Sequence, residues 1–445
     1  MKKLVSLVLA LLMVFGIASS LAEIEMTTEE ITLTYAAKEE DYDLTCQLAD
    51  QFMQQYPNIT VEVLEMDEST YDTSIGNLAA EQKLPDVFWM SNVCDAVANG
   101  WALQLDEFYA NDPDAAKISP TILKYAQIGG RRYSVPAKSR PIFAVINKTL
   151  FETYNVEIPS PDWTFEEFKA AAEATAHPEN YHFGYGHNTT VEYFIPRFNW
   201  DGESYTLDET WIMMEELMAD WTARKVAENM TPEEKLAVWG DEGTVAKDRG
   251  ACATIMMSFE WGAEAFIDGS MEQQTGCEYL IYPVPSPLDI NPTDMMFACI
   301  SRGTQYPNEA WMLAKWMTWG KEATILRNTW YNENEILTNA LPMIEDEAVW
   351  ADTKAKVHPA LQDFVEYAKP MSPSIDSHAP NCIWVNVNYY FGGVPGKFAS
   401  GETTPADMAP ELRAQYNGLR DDWFEQCSDF ATATDLDIAT TSDAE

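Results

Sequence analysis

The apolar positions of the first hundred residues follow two periods in turn. Ile31-Thr32-Leu33-Thr34-Tyr35 alternates with period two and predicts a strand. Residues 42–56 place Leu44, Leu48, Phe52 and Met53 on one helical face, and Pro57-Asn58 ends the run. Residues 59–64 predict a second strand, 73–82 a helix, 86–90 a third strand and 93–100 a helix closed by Gly100. Strands alternating with helices at this spacing predict βαβ units and a parallel sheet.

The pattern changes at Gly129-Gly130, a turn signal. Residues 132–135 read as a short strand stopped by Pro136. Residues 137–141 are polar, and Pro141 disfavours helical geometry in Arg140 before it. Residues 142–146 form an unbroken apolar, β-favouring run of the kind buried on both faces. Two strands around a polar link, a third of the way along the chain, mark where it leaves one globular unit and enters another. Further on, Thr164 followed by Glu167 predicts a capped helix start. Residues 182–188 read as a Gly- and His-rich loop. Helices are expected at 211–225, 309–319 and 406–426, and strands at 250–258, 279–282 and 296–300. Residues 431–445, rich in Thr, Asp and Ala, have little to bury and are expected to be a disordered tail.

A chain of 445 residues exceeds one ordinary core, so two domains are expected. Its formal charge of −43 repels phosphate backbones and anionic lipid, which argues against nucleic-acid and membrane-surface partners. The first 22 residues have the form of an export signal. Lys2-Lys3 precede an apolar stretch, and Ser20-Leu21-Ala22 supplies the small residues that a leader peptidase reads, with cleavage expected after Ala22. Seven cysteines are irregularly spaced with no Cys-x-x-Cys pair, which gives no support to zinc ribbons or thioredoxin chemistry. Most read as small buried hydrophobes, and one or two disulfides stay open. No cysteine stands just after the signal's apolar stretch, so no lipid-attachment site is expected.

Catalytic motifs are missing. There is no Gly-x-Ser-x-Gly, His-Glu-x-x-His or Gly-x-Gly-x-x-Gly. Residues 393–398, Gly-Val-Pro-Gly-Lys-Phe, lack the spacing of a phosphate loop and read as a turn. His177, His182 and His187 fall five apart, which does not align them on a helix face, so no metal site is assigned. With 71 carboxylates, any two could be paired as acid and base, and such pairing carries no information. Tryptophan is more telling. Of fifteen, several stand in polar or Gly-flanked contexts: Trp200 before Asp201-Gly202, Trp261 between Glu260 and Gly262, Trp330 before Tyr331-Asn332, and Trp384 near Asn381 and Asn386. Sugars offer flat C–H faces to aromatic rings and hydroxyl rims to carboxylates, amides and Arg. Against this stands the plainer role of each Trp as a packing residue, expected for Trp316 and Trp319 on a helix's apolar face.

Short motifs spread over nearly the whole chain complete the picture. They are Gln54-Gln55-Tyr56-Pro57-Asn58-Ile59-Thr60-Val61, Leu84-Pro85-Asp86-Val87-Phe88, Leu103-Gln104-Leu105-Asp106 and Gly130-Arg131-Arg132-Tyr133-Ser134-Val135-Pro136. Asn147-Lys148-Thr149-Leu150-Phe151, the Trp163–Phe168 helix start, residues 250–261 and Ser400-Gly401-Glu402-Thr403-Thr404-Pro405 follow. In this order and spacing the chain resembles the extracellular solute-binding proteins of ABC transporters, the family that includes maltose- and oligosaccharide-binding proteins.

The resemblance implies an α/β, type II periplasmic-binding-protein-like fold: two lobes joined by hinge strands, with ligand in the cleft between them. The expected division is a signal at 1–22, lobe one at 23–139 with 299–345, lobe two at 140–298 with 346–430, and the tail. Carried over by position, Met90, Ser91 and Asn92 line the cleft from lobe one, Arg140 contacts ligand at the crossover, and Trp261 stacks from lobe two beside Glu260. Trp384 is a further aromatic, and Trp200, Trp330 and Tyr331 enter by context. The expected function is a monomeric, non-enzymatic receptor outside the membrane, without cofactor or metal, that captures a carbohydrate and delivers it to the transmembrane subunits of an ABC permease. A secreted glycoside hydrolase and a sensory binding protein of the same fold are the alternatives.

Overall fold

The computed structural model describes residues 24–38, 42–186, 190–258, 262–338, 340–374 and 377–430. The signal segment, the tail, Glu260, Trp261 and His187 therefore lie outside the described residues.

Two sheets organise the chain. The first contains β1 (Ile31–Lys38), β2 (Ile59–Met66), β3 (Val87–Met90), β4 (Val135–Pro141), β9 (Asn291–Ile300) and β10 (Met371–Pro373). The second contains β5 (Phe143–Asn147), β6 (Phe183–Gly186), β7 (Cys252–Met257) and β8 (Tyr279–Pro283). β1 pairs in parallel with β2 and β3, as the βαβ spacing predicts. β9 enters antiparallel between β3 and β4, so the sheet is mixed.

Ile142 alone separates the sheets on the crossing from β4 to β5. Its N–H donates to the Pro292 carbonyl at 2.9 Å, and its own carbonyl accepts from Asn291 Nδ2 at 3.0 Å. Asn291 N–H in turn donates to Pro370, and Ser374 N–H to Thr293. Three passages of the chain thus run side by side at the junction of the sheets. Sheet membership follows these passages, so 291–298 and 371–373 belong with the first sheet.

Both faces of the second sheet are covered. Along β5, Phe143 and Val145 join a core continuous with the first sheet, while Ala144 and Ile146 join a separate second core. This is the unbroken apolar run expected of a strand buried on both sides. The second core is aromatic, built around Trp163, Trp200, Trp211 and Trp221, all fully buried. The Thr164–Glu167 capping box forms as expected.

Several expectations are revised. Residues 137–141 are not a loose link but most of β4. Pro136 sits at a register shift and Pro141 at the last position, where a missing N–H breaks no ladder bond. Residues 183–186 of the expected loop pair with β7 as β6. The expected turn at 393–398 is the helix Val394–Ala399, because Pro395 occupies its first turn, where no N–H partner is needed. The seven cysteines are all free thiols.

Candidate functional site

β4 alternates its side chains, so Lys138 and Arg140 share one face while Ser139 points the other way and donates to the Leu341 carbonyl at 2.9 Å. Arg140 lies opposite Asp294 on β9. Burial pushes the Asp294 carboxyl up from its ordinary value, and the Arg140, Lys38, Arg197 and Lys138 cations draw it back.

The helix Lys321–Glu333 (α1) packs its first turns through Ala323 and Thr324 and carries Trp330 and Tyr331 half-buried near its end. Their rings meet edge to face at 5.6 Å. Arg327, one turn earlier, donates to the Met317 and Thr318 carbonyls at 2.7 and 3.0 Å, which fixes its guanidinium against the end of the preceding helix.

These elements enclose a cavity of about 690 Å³. Lys138 and Arg140 come from β4, Arg327, Trp330 and Tyr331 from α1, and Glu68 from beyond β2. Gly262 and Glu264 come from the segment that follows β7, so the cavity lies between the two sheet units. Its volume is that of a small-molecule site. A second cavity of about 470 Å³ adjoins it, sharing Asn328, Tyr331, Ile336, Leu337, Thr338 and Ala340.

Of the expected site residues, the structure brings Arg140, Trp330 and Tyr331 together. Trp200 is corrected: it is 2 % exposed, with Tyr205 at 5.2 Å, and has no ring face to offer a ligand. Met90 is likewise a core residue, paired with Phe297 across the sheet. Asn92 caps the helix Val93–Ala98 by accepting from Cys94 N–H, and Ser91 is exposed beside it. Trp384 is 62 % exposed on the helix Cys382–Asn386, apart from the residues that enclose the cavity. Glu68, Lys138 and Arg327 were missed. Only Lys138 left a signal, since it stands two residues before Arg140 in an extended stretch.

Residues 47–357 match the family model of bacterial extracellular solute-binding proteins. The chain belongs to that family. No curated protein matches the sequence. Among solved structures, a Rhizobium etli sugar transporter in an open conformation is similar at 16 % identity and a TM-score of 0.67, covering 87 % of this chain and 99 % of its own. An ABC substrate-binding protein from Listeria monocytogenes in complex with cycloalternan matches at 18 %, TM-score 0.57, over 88 % and 99 %. A cyclic α-maltosyl-1,6-maltose binding protein from Arthrobacter globiformis matches at 17 %, TM-score 0.62, over 88 % and 99 %. This solute-binding protein has their two-unit, type II periplasmic-binding-protein-like fold. The family is one of extracellular solute-binding proteins, and these neighbours are a sugar transporter, a substrate-binding protein and a sugar-binding protein.

Proposed function

We propose that this solute-binding protein is the receptor of an ABC importer, capturing a sugar or short glycan between its two sheet units and delivering it to the permease. The observation that carries this reading is the cavity where Arg140, Trp330 and Tyr331 converge. Aromatic rings take the C–H faces of a sugar, and Arg, Lys and carboxylates take its hydroxyls. Glu260 and Trp261, which directly precede the cavity residue Gly262, are proposed to contribute from the second unit. The sheet units act as the two lobes, closing by rotation about the three adjacent passages, the hinge motion by which periplasmic binding proteins close around a ligand. The mature chain is proposed to begin after Ala22 and to work as a monomer.

Titration calorimetry against a panel of glycans, peptides and polyamines tests this, with small-angle scattering on any complex. The expected result is micromolar binding of a glycan, about −8 kcal/mol, with compaction. Binding confined to peptides or polyamines, or to no compound, contradicts it.

A further inference from the structure

The long helix Pro405–Gln426 (α2) joins both units. Its first half lies in the second core, where Ala409, Leu412 and Tyr416 are buried. There Tyr205 N–H donates to Asn417 Oδ1 at 3.0 Å, and Asn417 Nδ2 donates to the Tyr205 carbonyl at 2.9 Å. Its last turn and the residues after it belong to the first unit. Cys427 is buried in the first core, and Trp423, Phe424 and Phe430 pack against that core. The rings of Phe424 and Phe430 press on Gly129, whose missing side chain leaves them room. The Arg131 guanidinium lies 4.8 Å from the Phe430 ring centre and donates to the Asp429 carbonyl at 2.8 Å. Arg302 pairs with the Asp429 carboxylate at 2.5 Å. The units touch again at Gly202, between Trp200 and Tyr205 of the second core. A Cβ there would lie 2.6 Å from the Lys124 carbonyl of the first unit.

This grip stands far from the crossing between the sheets. Tyr133, at 6.2 Å from the Phe430 ring, precedes Ile142 by nine residues of mainly extended chain, roughly 30 Å. On that lever a rotation of about 15° across β4 moves the grip by about 8 Å. Side-chain contacts are lost beyond about 4.5 Å. The units therefore cannot rotate as rigid bodies with the grip intact. The arrangement in which it is engaged has an open mouth: Glu68 of the first unit and Gly262 and Glu264 of the second line the cavity and are exposed.

We propose that α2 and the residues after it form a clasp that holds the two units open, and that the strength of the clasp sets the affinity for ligand. Closure loosens residues 423–430 from the Gly129 hairpin. A ligand that requires the closed state is weakened by the fraction of chains in that state, and the clasp lowers this fraction. It acts from a distance, since none of its residues lines either cavity.

The clasp rests on the hinge closure proposed above, and one set of variants separates the two. The full mature chain, Phe430→Ala and Arg302→Gln are titrated with maltotetraose, xylotetraose and cellotetraose, and the empty proteins are measured by small-angle scattering. Phe430→Ala is expected to bind a glycan about tenfold tighter than the unmodified chain, although its melting temperature falls. Arg302→Gln alters only an exposed cation and is expected to shift affinity the same way by about threefold. Should Phe430→Ala fold poorly, Arg302→Gln decides. Residues that merely stabilise the fold would leave affinity unchanged or lower when replaced, and that result in both variants overturns the clasp while the receptor function stands. Binding of none of the three glycans by the unmodified chain contradicts the receptor function, and scattering then decides the clasp. A smaller radius of gyration in empty Phe430→Ala supports it, and an unchanged radius overturns it.

Discussion

Trp200 and Trp330 look alike in the sequence and end in opposite places. Each is followed by polar residues, Asp201-Gly202 in one case and Tyr331-Asn332 in the other. Trp200 sits where the second core closes over it. Tyr205 packs on its ring, and Phe198 and Tyr416 pack on Tyr205 in turn. Trp330 sits near the end of α1, whose buried side chains are Ala323 and Thr324. No second layer of aromatic residues covers it among the described contacts, and its ring borders the cavity. The polarity of the next residue in the chain therefore says little about a Trp. What decides is whether segments distant in sequence supply a second layer, as Tyr416 does for Trp200.

The comparison breaks first at stability. Trp200→Ala is expected to cost about 3–5 kcal/mol in a denaturant melt, with ligand affinity intact in the fraction that folds. Normal stability with lost affinity would reverse the roles of the two tryptophans.

The dryness of the Trp200 side can be tested by pH. Glu215 is buried beside Tyr389 and Tyr416 in the same core, and burial pushes its carboxyl up to about 8. The folded protein keeps this proton while the unfolded chain loses it near the ordinary carboxyl value. The contribution is therefore fully present below that value and is lost as pH rises towards 8. Glu215→Gln is expected to raise the melting temperature at pH 8, by on the order of a few kcal/mol of stability, and to leave it nearly unchanged at pH 4.5. An equal effect at both pH values would mean that water reaches Glu215. His378 gives the opposite slope. It is buried against Phe297, with Ser134 Oγ 2.8 Å from its Nε2, and burial depresses its pKa to about 3. Below the ordinary histidine range the unfolded chain gains a proton that the folded one refuses, so stability falls with falling pH. His378→Gln is expected to flatten the melting profile between pH 6 and 4.

On the Trp330 side the effects are on binding and are smaller. Arg140→Ala is expected to weaken the glycan about tenfold while the melting temperature of the empty protein stays nearly constant. A large stability loss with intact affinity would make Arg140 a structural residue. Trp330→Ala and Tyr331→Ala are each expected to cost about 0.5–1.5 kcal/mol of binding, read by calorimetry. No change from either would place the ligand elsewhere.

Much of the fold was legible because local signals agreed with the final contacts. Gly129-Gly130 reads as a turn, and both residues adopt positive φ between Ile128 and Arg131, which exchange two backbone hydrogen bonds. Gly129 is further required by packing, since a Cβ there would lie 2.7 Å from the Phe430 ring. The capping box at Thr164 is equally local. β4 was obscured because its two prolines look like breaks, and only the partner strand β9 reveals that they stand where no bond is lost. α1 was missed because its sequence shows no apolar stripe: one side faces the cavity instead of a core. Of the residues expected at the site, Arg140, Trp330 and Tyr331 border the cavity, and Lys138 beside them was hidden in a stretch read as a polar link. Glu68 and Arg327 reach it through tertiary structure and carry no local mark.

The most direct test of the central claim is a crystal structure of the mature chain grown with a glycan that binds in solution. The account predicts the sugar between the two sheet units, one ring against Trp330 or Tyr331 and a polar group within hydrogen-bond distance of Arg140. A sugar seated on the exposed Trp384 surface, with the cavity between the units unchanged, would contradict it.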